Sequence, residues 1–138
     1  MKLKLASTLV AGMLLATAAL ADVVVVVSSK SAVSAMTKEQ VADLYLGKSQ
    51  ELGGGAAVLM DLPDGAVKDA FYEKATGRSL PQIKATWSKL LFNGKGLPPK
   101  EAANPAELKK AVAASPNAIG YLDAGAVDGS VKVVLKLN

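Results

Sequence analysis

The sequence predicts an α/β domain with a mixed β-sheet flanked by helices, and three observations carry that prediction. Asp22 to Ser28, "DVVVVVS", is a continuous β-branched run, the pattern of a strand buried on both faces. Four helical stripes follow, each opened by a capping signal or closed by glycine. Two strand-like segments, "NAIGYLD" and "SVKVVLKL", end the chain. The resulting order, β-α-β-α-α-α-β-β, has strands separated by helices and then adjacent to each other, which calls for a mixed sheet.

Each element has a local reason. After the polar connection "SSKSAVSAM", Thr37 and Gln40 form a capping box for a helix with Val41, Leu44 and Tyr45 on one face, ended by Gly47. The glycine turn "GGG" leads into a strand at about Ala56 to Met60. Asp64 is placed to cap the next helix, whose stripe is Val67, Ala70, Phe71 and Ala75, closed by Gly77. Ser79 caps a third helix with Pro81 in its first turn and Ile83, Trp87, Leu90 and Leu91 facing inward. Residues 94 to 104 read as a loop of glycine and proline. Asn104, Pro105 and Glu107 then supply cap, first-turn proline and N3 acid for a helix with Leu108, Ala111 and Val112 buried. Trp87 is expected in the core, and Tyr121 is expected to pack its ring and satisfy its hydroxyl locally. Gly120 marks a close approach of another group.

The N-terminus sets an expected compartment. Residues 1 to 21 carry Lys2 and Lys4, then an apolar run, then Ala19-Leu20-Ala21, the three regions of a secretory signal peptide. The run is too short and too rich in small residues to favour a spanning helix, so a retained anchor is the lesser alternative. Cleavage would leave residues 22 to 138 as one domain exported to the periplasm. With Lys2 and Lys4 gone, 14 basic residues face 12 acidic ones. The charges are interspersed, so nucleic acid and anionic membrane are poor partners.

Absences narrow the chemistry. The sequence has no His and no Cys. Serine–histidine and cysteine–histidine nucleophiles are thereby excluded, as are imidazole and thiolate metal sites and any disulfide. No acidic calcium loop occurs either. The expectation is a protein that is not an enzyme, with no cofactor and no metal. A hydrolase built on Asp61 and Asp64 would have nothing to orient or tune the pair.

Several motifs, in order, resemble a known family. "TKEQVADLYLGKS" (Thr37 to Ser49), "FYEKATGRSLPQIKATWSKLLFNGKGLPPK" and "VAASPNAIGYLD" are similar to segments of the phosphate-binding proteins of ABC transporters. The nearest likeness is to short exported proteins described as phosphate-transporter substrate-binding-like. It covers about Val23 to Val134 and implies a single lobe of a type II periplasmic binding protein. In that family an Arg, a short spacer and Ser-Gly-Thr open a helix, and the Arg fork, hydroxyls and backbone N–H groups hold phosphate. The matching run here is Met60-Asp61-Leu62-Pro63-Asp64-Gly65-Ala66. It has no Arg, Asp64 stands for the Ser, and Ala66 stands for the Thr; only Gly65 matches. Charge-assisted hydrogen bonds are worth on the order of 1.5–3 kcal/mol each. Their loss would move a tight site towards millimolar affinity.

The resemblance and the strand ends together define candidate ligand-binding residues: Ser28, Ser29 and Ser31 after the first strand, and Asp61, Asp64, Gly65, Ala66 and Val67 at the helix start. Each has a plainer reading, Asp64 as a helix cap, Asp61 as a solvated turn residue and the serines as a polar loop. Lys30, Lys95 and Lys100 read as surface lysines, and Arg78, the only Arg, as complementing a helix end. Two functions remain open. The first is a phosphate-transport-type binding module holding a small oxyanion weakly, or only when a partner closes the cleft. The second is an interaction module whose ligand face docks a periplasmic or membrane protein.

Overall fold

The computed structural model describes residues 22–138, so the expected signal peptide at 1–21 lies outside the described residues. A five-stranded sheet forms the centre. Its strands are β1 (Val23–Ser28), β4 (Val58–Asp61), β5 (Lys100–Glu101), β6 (Ala118–Asp123) and β7 (Val131–Leu137), in the order β5-β4-β6-β1-β7. β4 runs parallel to both β5 and β6, whereas β1 is antiparallel to both β6 and β7. The mixed sheet expected from the element order is therefore present.

Covering both faces explains the valine run. Val23 to Val27 are all fully buried. Side chains alternate along a strand, so Val24 and Val26, beside Leu122 and Gly120, face one side, while Val25, beside Tyr121, faces the other. Helix α4 (Pro105–Ala113) packs on the Gly120 side. A Cβ on Gly120 would lie 2.7 Å from Leu108 Cδ2 and 3.0 Å from Val112 Cγ2, so glycine is what lets helix and sheet approach. On the opposite side lie α1 (Lys38–Tyr45) and α2 (Ala66–Thr76), whose Tyr45, Phe71 and Tyr72 join Tyr121 in one aromatic cluster. Phe71 stacks on Tyr121 with centroids 3.9 Å apart, and Tyr45 meets Phe71 edge-on at 4.8 Å. α3 (Leu80–Phe92) adds Ile83 and Trp87 to the core, and Trp87 Nε1 donates to Tyr45 O at 2.8 Å.

Most of the expected caps form. Thr37 and Gln40 make the capping box of α1, Ser79 and Gln82 that of α3, and Asn104 accepts from Glu107 N at the start of α4. Gly77 closes α2 in the left-handed conformation. Two differences are structural. The glycine turn does not lead straight into a strand: Gly53 and Gly54, both at positive φ, fold a hairpin of β2 (Glu51–Leu52) and β3 (Gly55–Ala56), so β4 starts only at Val58. The loop 94–104 contains β5, which two residues cannot announce by pattern and which is anchored by Ala102 N donating to Asp61 O. A short 3₁₀ turn, Ala124–Ala126, joins β6 to β7.

Candidate functional site

The carboxyl ends of β4 and β6 deliver Asp61 and Tyr121 to one place, and α2 lays Lys68 and Tyr72 beside them. Asp64, Lys68 and Tyr72 are four residues apart in turn, which lines them up along one face of the helix and its leading turn. Asp61 is buried. Its Oδ2 accepts from Tyr72 Oη at 2.7 Å, and its Oδ1 accepts from Tyr121 Oη and from Leu62 N at 3.0 Å. Tyr45 Oη completes the floor by donating to Met60 O at 2.8 Å.

Charge is matched as tightly as hydrogen bonding. The Lys68 ammonium, 5% exposed, stands 3.7 Å from Asp61, 3.4 Å from Asp64 and 3.2 Å from Glu101. Lys84 from α3 binds Asp64 at 3.1 Å. Burial alone would lower the Lys68 ammonium, but the field of Asp61 and the bonds to Glu101 and Asp64 outweigh it and hold the group above its ordinary value. Burial, reinforced by the Asp61 charge, pushes all three tyrosines, Tyr45, Tyr72 and Tyr121, above theirs. Three carboxylates against two ammoniums leave this corner net negative. An open pocket of about 160 Å³ lies over it, lined in part by Asp61, Lys68, Tyr72, Lys84 and Glu101.

At the start of α2 the expected cap is replaced. Gly65 occupies the N-cap position without any side-chain cap bond, and Asp64 is drawn to Lys84 and Lys68 instead. Asp69 N is the first to find a helical acceptor, Gly65 O at 3.0 Å. The N–H groups of Ala66, Val67 and Lys68 therefore have no acceptor within the helix. Gly65 and Ala66 are exposed, so this row faces outward.

The serine group lies elsewhere. Because β1 is antiparallel to β6 while β4 is parallel to it, Ser28, Ser29 and Ser31 follow the end of β1 at the opposite end of the sheet from Asp61. Ser28 is buried, with Oγ donating to Ala113 O and accepting from Lys30 N, and buried Ser31 Oγ accepts from Val33 N. Ser29 is exposed. Of the candidate residues, the structure thus groups Asp61, Asp64, Gly65, Ala66 and Val67 and separates the three serines from them. Asp61 is not a solvated turn residue, and the Tyr121 hydroxyl is satisfied by a residue 60 positions away rather than locally. Sequence reading missed Lys68, Tyr72, Lys84 and Glu101. The i, i+4 spacing of Asp64 and Lys68 was the one signal that pointed to part of this group.

The fold is that of one lobe of a phosphate-type periplasmic binding protein. Solved structures supply the comparison. A phosphate ABC transporter substrate-binding protein from Clostridium perfringens, with bound phosphate, superposes with a TM-score of 0.66 at 23% identity, over 82% of this chain and 44% of that one. An ABC-type phosphate transport receptor from Vibrio cholerae gives 0.63 at 18%, over 82% and 45%. PstS from Borrelia burgdorferi gives 0.52 at 13%, over 82% and 46%. The chain spans less than half the length of these proteins. No family model and no curated protein matches it by sequence. Among the described residues no helix is long and apolar enough to cross a membrane.

Proposed function

We propose that this chain is an exported, non-enzymatic substrate-binding-protein-like module of the phosphate-transport type, working in the periplasm. In this reading a small oxyanion such as phosphate sits on the Gly65 to Lys68 amides, with Lys84 and Lys68 as the nearby cations. The observation that carries it is the exposed, uncapped start of α2 at the carboxyl end of β4, in a fold shared with a protein solved with bound phosphate. Affinity of the chain by itself is millimolar. Both cations are already held by Asp61, Asp64 and Glu101, and no Arg fork is present at Met60 or Asp61. Tight binding then needs a second surface, from a partner protein, that brings positive charge over the pocket.

The test is amide NMR of residues 22–138 titrated with phosphate, with sulfate at equal ionic strength as control. Expected are saturable shifts confined to Gly65, Ala66, Val67 and Lys68, with a millimolar Kd that falls several-fold in Asp64→Asn, where a repelling carboxylate is removed. Saturation in the micromolar range would refute the weak-site argument.

A second reading is favoured by one observation, that Lys68 is neutralised by three carboxylates of the chain itself. In it the anion chemistry has been lost and the module serves only to dock a sensor or transporter component. Indifference of the α2 amides to phosphate would select it.

A further inference from the structure

A second surface, at the other end of β4, has the form of a peptide groove. β5 pairs with β4 only at Met60 and Asp61, and just ahead of β4 Ala57 N donates to Gln50 O, so the outer edge of β4 at Val58 and Leu59 is bordered by loop segments rather than by a strand. An open groove of about 370 Å³ runs along that edge, with Val58, Leu59, Trp87, Leu97, Pro98 and Pro99 among its lining and Lys95 and Lys100 at its sides. Large apolar side chains stand uncovered here: Leu97 is 77% exposed and Val58 43%. On the last turn of α3, Leu91 is 50% exposed and Phe92 91%. Among the described residues these four are the exposed large hydrophobics, and they belong to β4 and to one segment, 91–97.

Charge on that segment is one-sided. From Lys74 to Lys100 the chain carries six cations and no Asp or Glu. Lys84 is held by Asp64, but Lys89, Lys95 and Lys100 have no acidic group within ion-pair distance among the described residues. Counted over 22–138 the chain is nearly balanced, so this basic, apolar surface is local rather than a reflection of overall charge.

We propose that this groove docks an extended, acidic segment of a partner protein, which seats an apolar side chain among Leu59, Trp87, Leu97 and Pro98 and sets its carboxylates against Lys95 and Lys100. The concave shape, with its apolar lining flanked by lysines, favours a peptide over an anionic bilayer. A bilayer could meet Phe92 and the lysines, but it cannot enter a groove. Buried apolar anchors give the affinity in such sites, and the flanking charges choose the partner. The groove adjoins the pocket over Asp61 and Lys68, with Trp87, Pro98 and Pro99 lining both, so the two kinds of binding are told apart by which backbone amides respond.

Trp87 is the single tryptophan of the chain and lines both the groove and the adjoining pocket, so its fluorescence reports binding and the amide shifts locate it. The probes are the peptide EEVFVEE and its charge-reversed counterpart KKVFVKK, with phosphatidylglycerol vesicles as a third arm. Expected is a saturable fluorescence change with the acidic peptide only, weakening with added salt. Amide shifts should appear at 57–59, 95–97 and 100, since Pro98 and Pro99 carry no N–H, and be absent at 65–68. Leu97→Ser, and separately Lys95→Glu with Lys100→Glu, should each weaken binding at least tenfold, and these exposed positions leave folding intact. No saturable response to the acidic peptide would overturn the proposal. So would equal binding of both peptides, or a response confined to vesicles and abolished by Leu97→Ser, which would make the surface a membrane contact.

Discussion

Replacing Asp61 by alanine tests whether this carboxylate is a structural keystone or a ligand group. In the folded chain it accepts three hydrogen bonds, from Tyr72, Tyr121 and Leu62 N, and lies 3.7 Å from the Lys68 ammonium. Hydrogen bonds to a charged acceptor are worth about 1.5–3 kcal/mol each, and breaking a buried pair by removing one partner costs about 3–5 kcal/mol. Part of the loss is recovered locally. Leu62 N keeps the Tyr121 hydroxyl at 3.1 Å, and Lys68 keeps Asp64 and Glu101. The Tyr72 hydroxyl is left in a buried corner without its acceptor. The expected destabilisation is therefore about 3–5 kcal/mol in urea unfolding at neutral pH, with an unchanged m-value. The same loss lowers Tm by roughly 10–20 °C. Asp61→Asn keeps the volume and one acceptor and should cost about half as much. A double-mutant cycle with Tyr72→Phe should return a coupling of about 1–3 kcal/mol. A cost below about 1 kcal/mol for Asp61→Ala would refute the keystone role, since a solvated turn residue costs that little.

Three further outcomes follow from the same packing. Gly120→Ala puts a methyl against Leu108 and Val112, both fully buried, and should destabilise by about 1–2 kcal/mol in urea despite the better strand propensity of alanine; a neutral result would mean α4 is free to shift. Tyr45, Tyr72 and Tyr121 are the only tyrosines, and all have raised pKa values, so their stabilising contribution is present below about pH 10, the unfolded value, and is lost as pH rises through the folded ones. Tyrosinate absorbance at 295 nm should accordingly appear in one step with alkaline unfolding rather than before it. At the acid end, bonds from Lys84 and Lys68 lower the Asp64 carboxyl, and bonds from Ser130 and Lys109 lower that of Asp128. Their contribution is present above about pH 4 and fades as pH falls through the lowered values, so Asp128→Asn should flatten the acid limb of a stability–pH curve.

The local elements were legible because their signals are local. A capping residue and the donor it satisfies are two or three positions apart, so Thr37 with Gln40, Ser79 with Gln82 and Asn104 with Glu107 could be read directly and form as read. A run of valines likewise states its own burial, and Val23 to Val27 are buried on both faces. Asp64 failed as a cap for an equally physical reason. Two ammoniums, one of them on another helix, compete for its carboxylate, and Gly65 takes the cap position.

By itself, then, the sequence determined the class of fold, most element boundaries and the absence of histidine and cysteine chemistry. Tertiary structure alone decided the site. A uniform apolar strand carries no mark of its direction, so nothing in β1 says that it runs against β4 and takes Ser28 to Ser31 away from the start of α2. The partners of Asp61 were hidden in the same way. Tyr121 is 60 residues off and Glu101 belongs to a two-residue strand, so their meeting is fixed by strand order and helix placement, which depend on how the whole core packs rather than on any one segment.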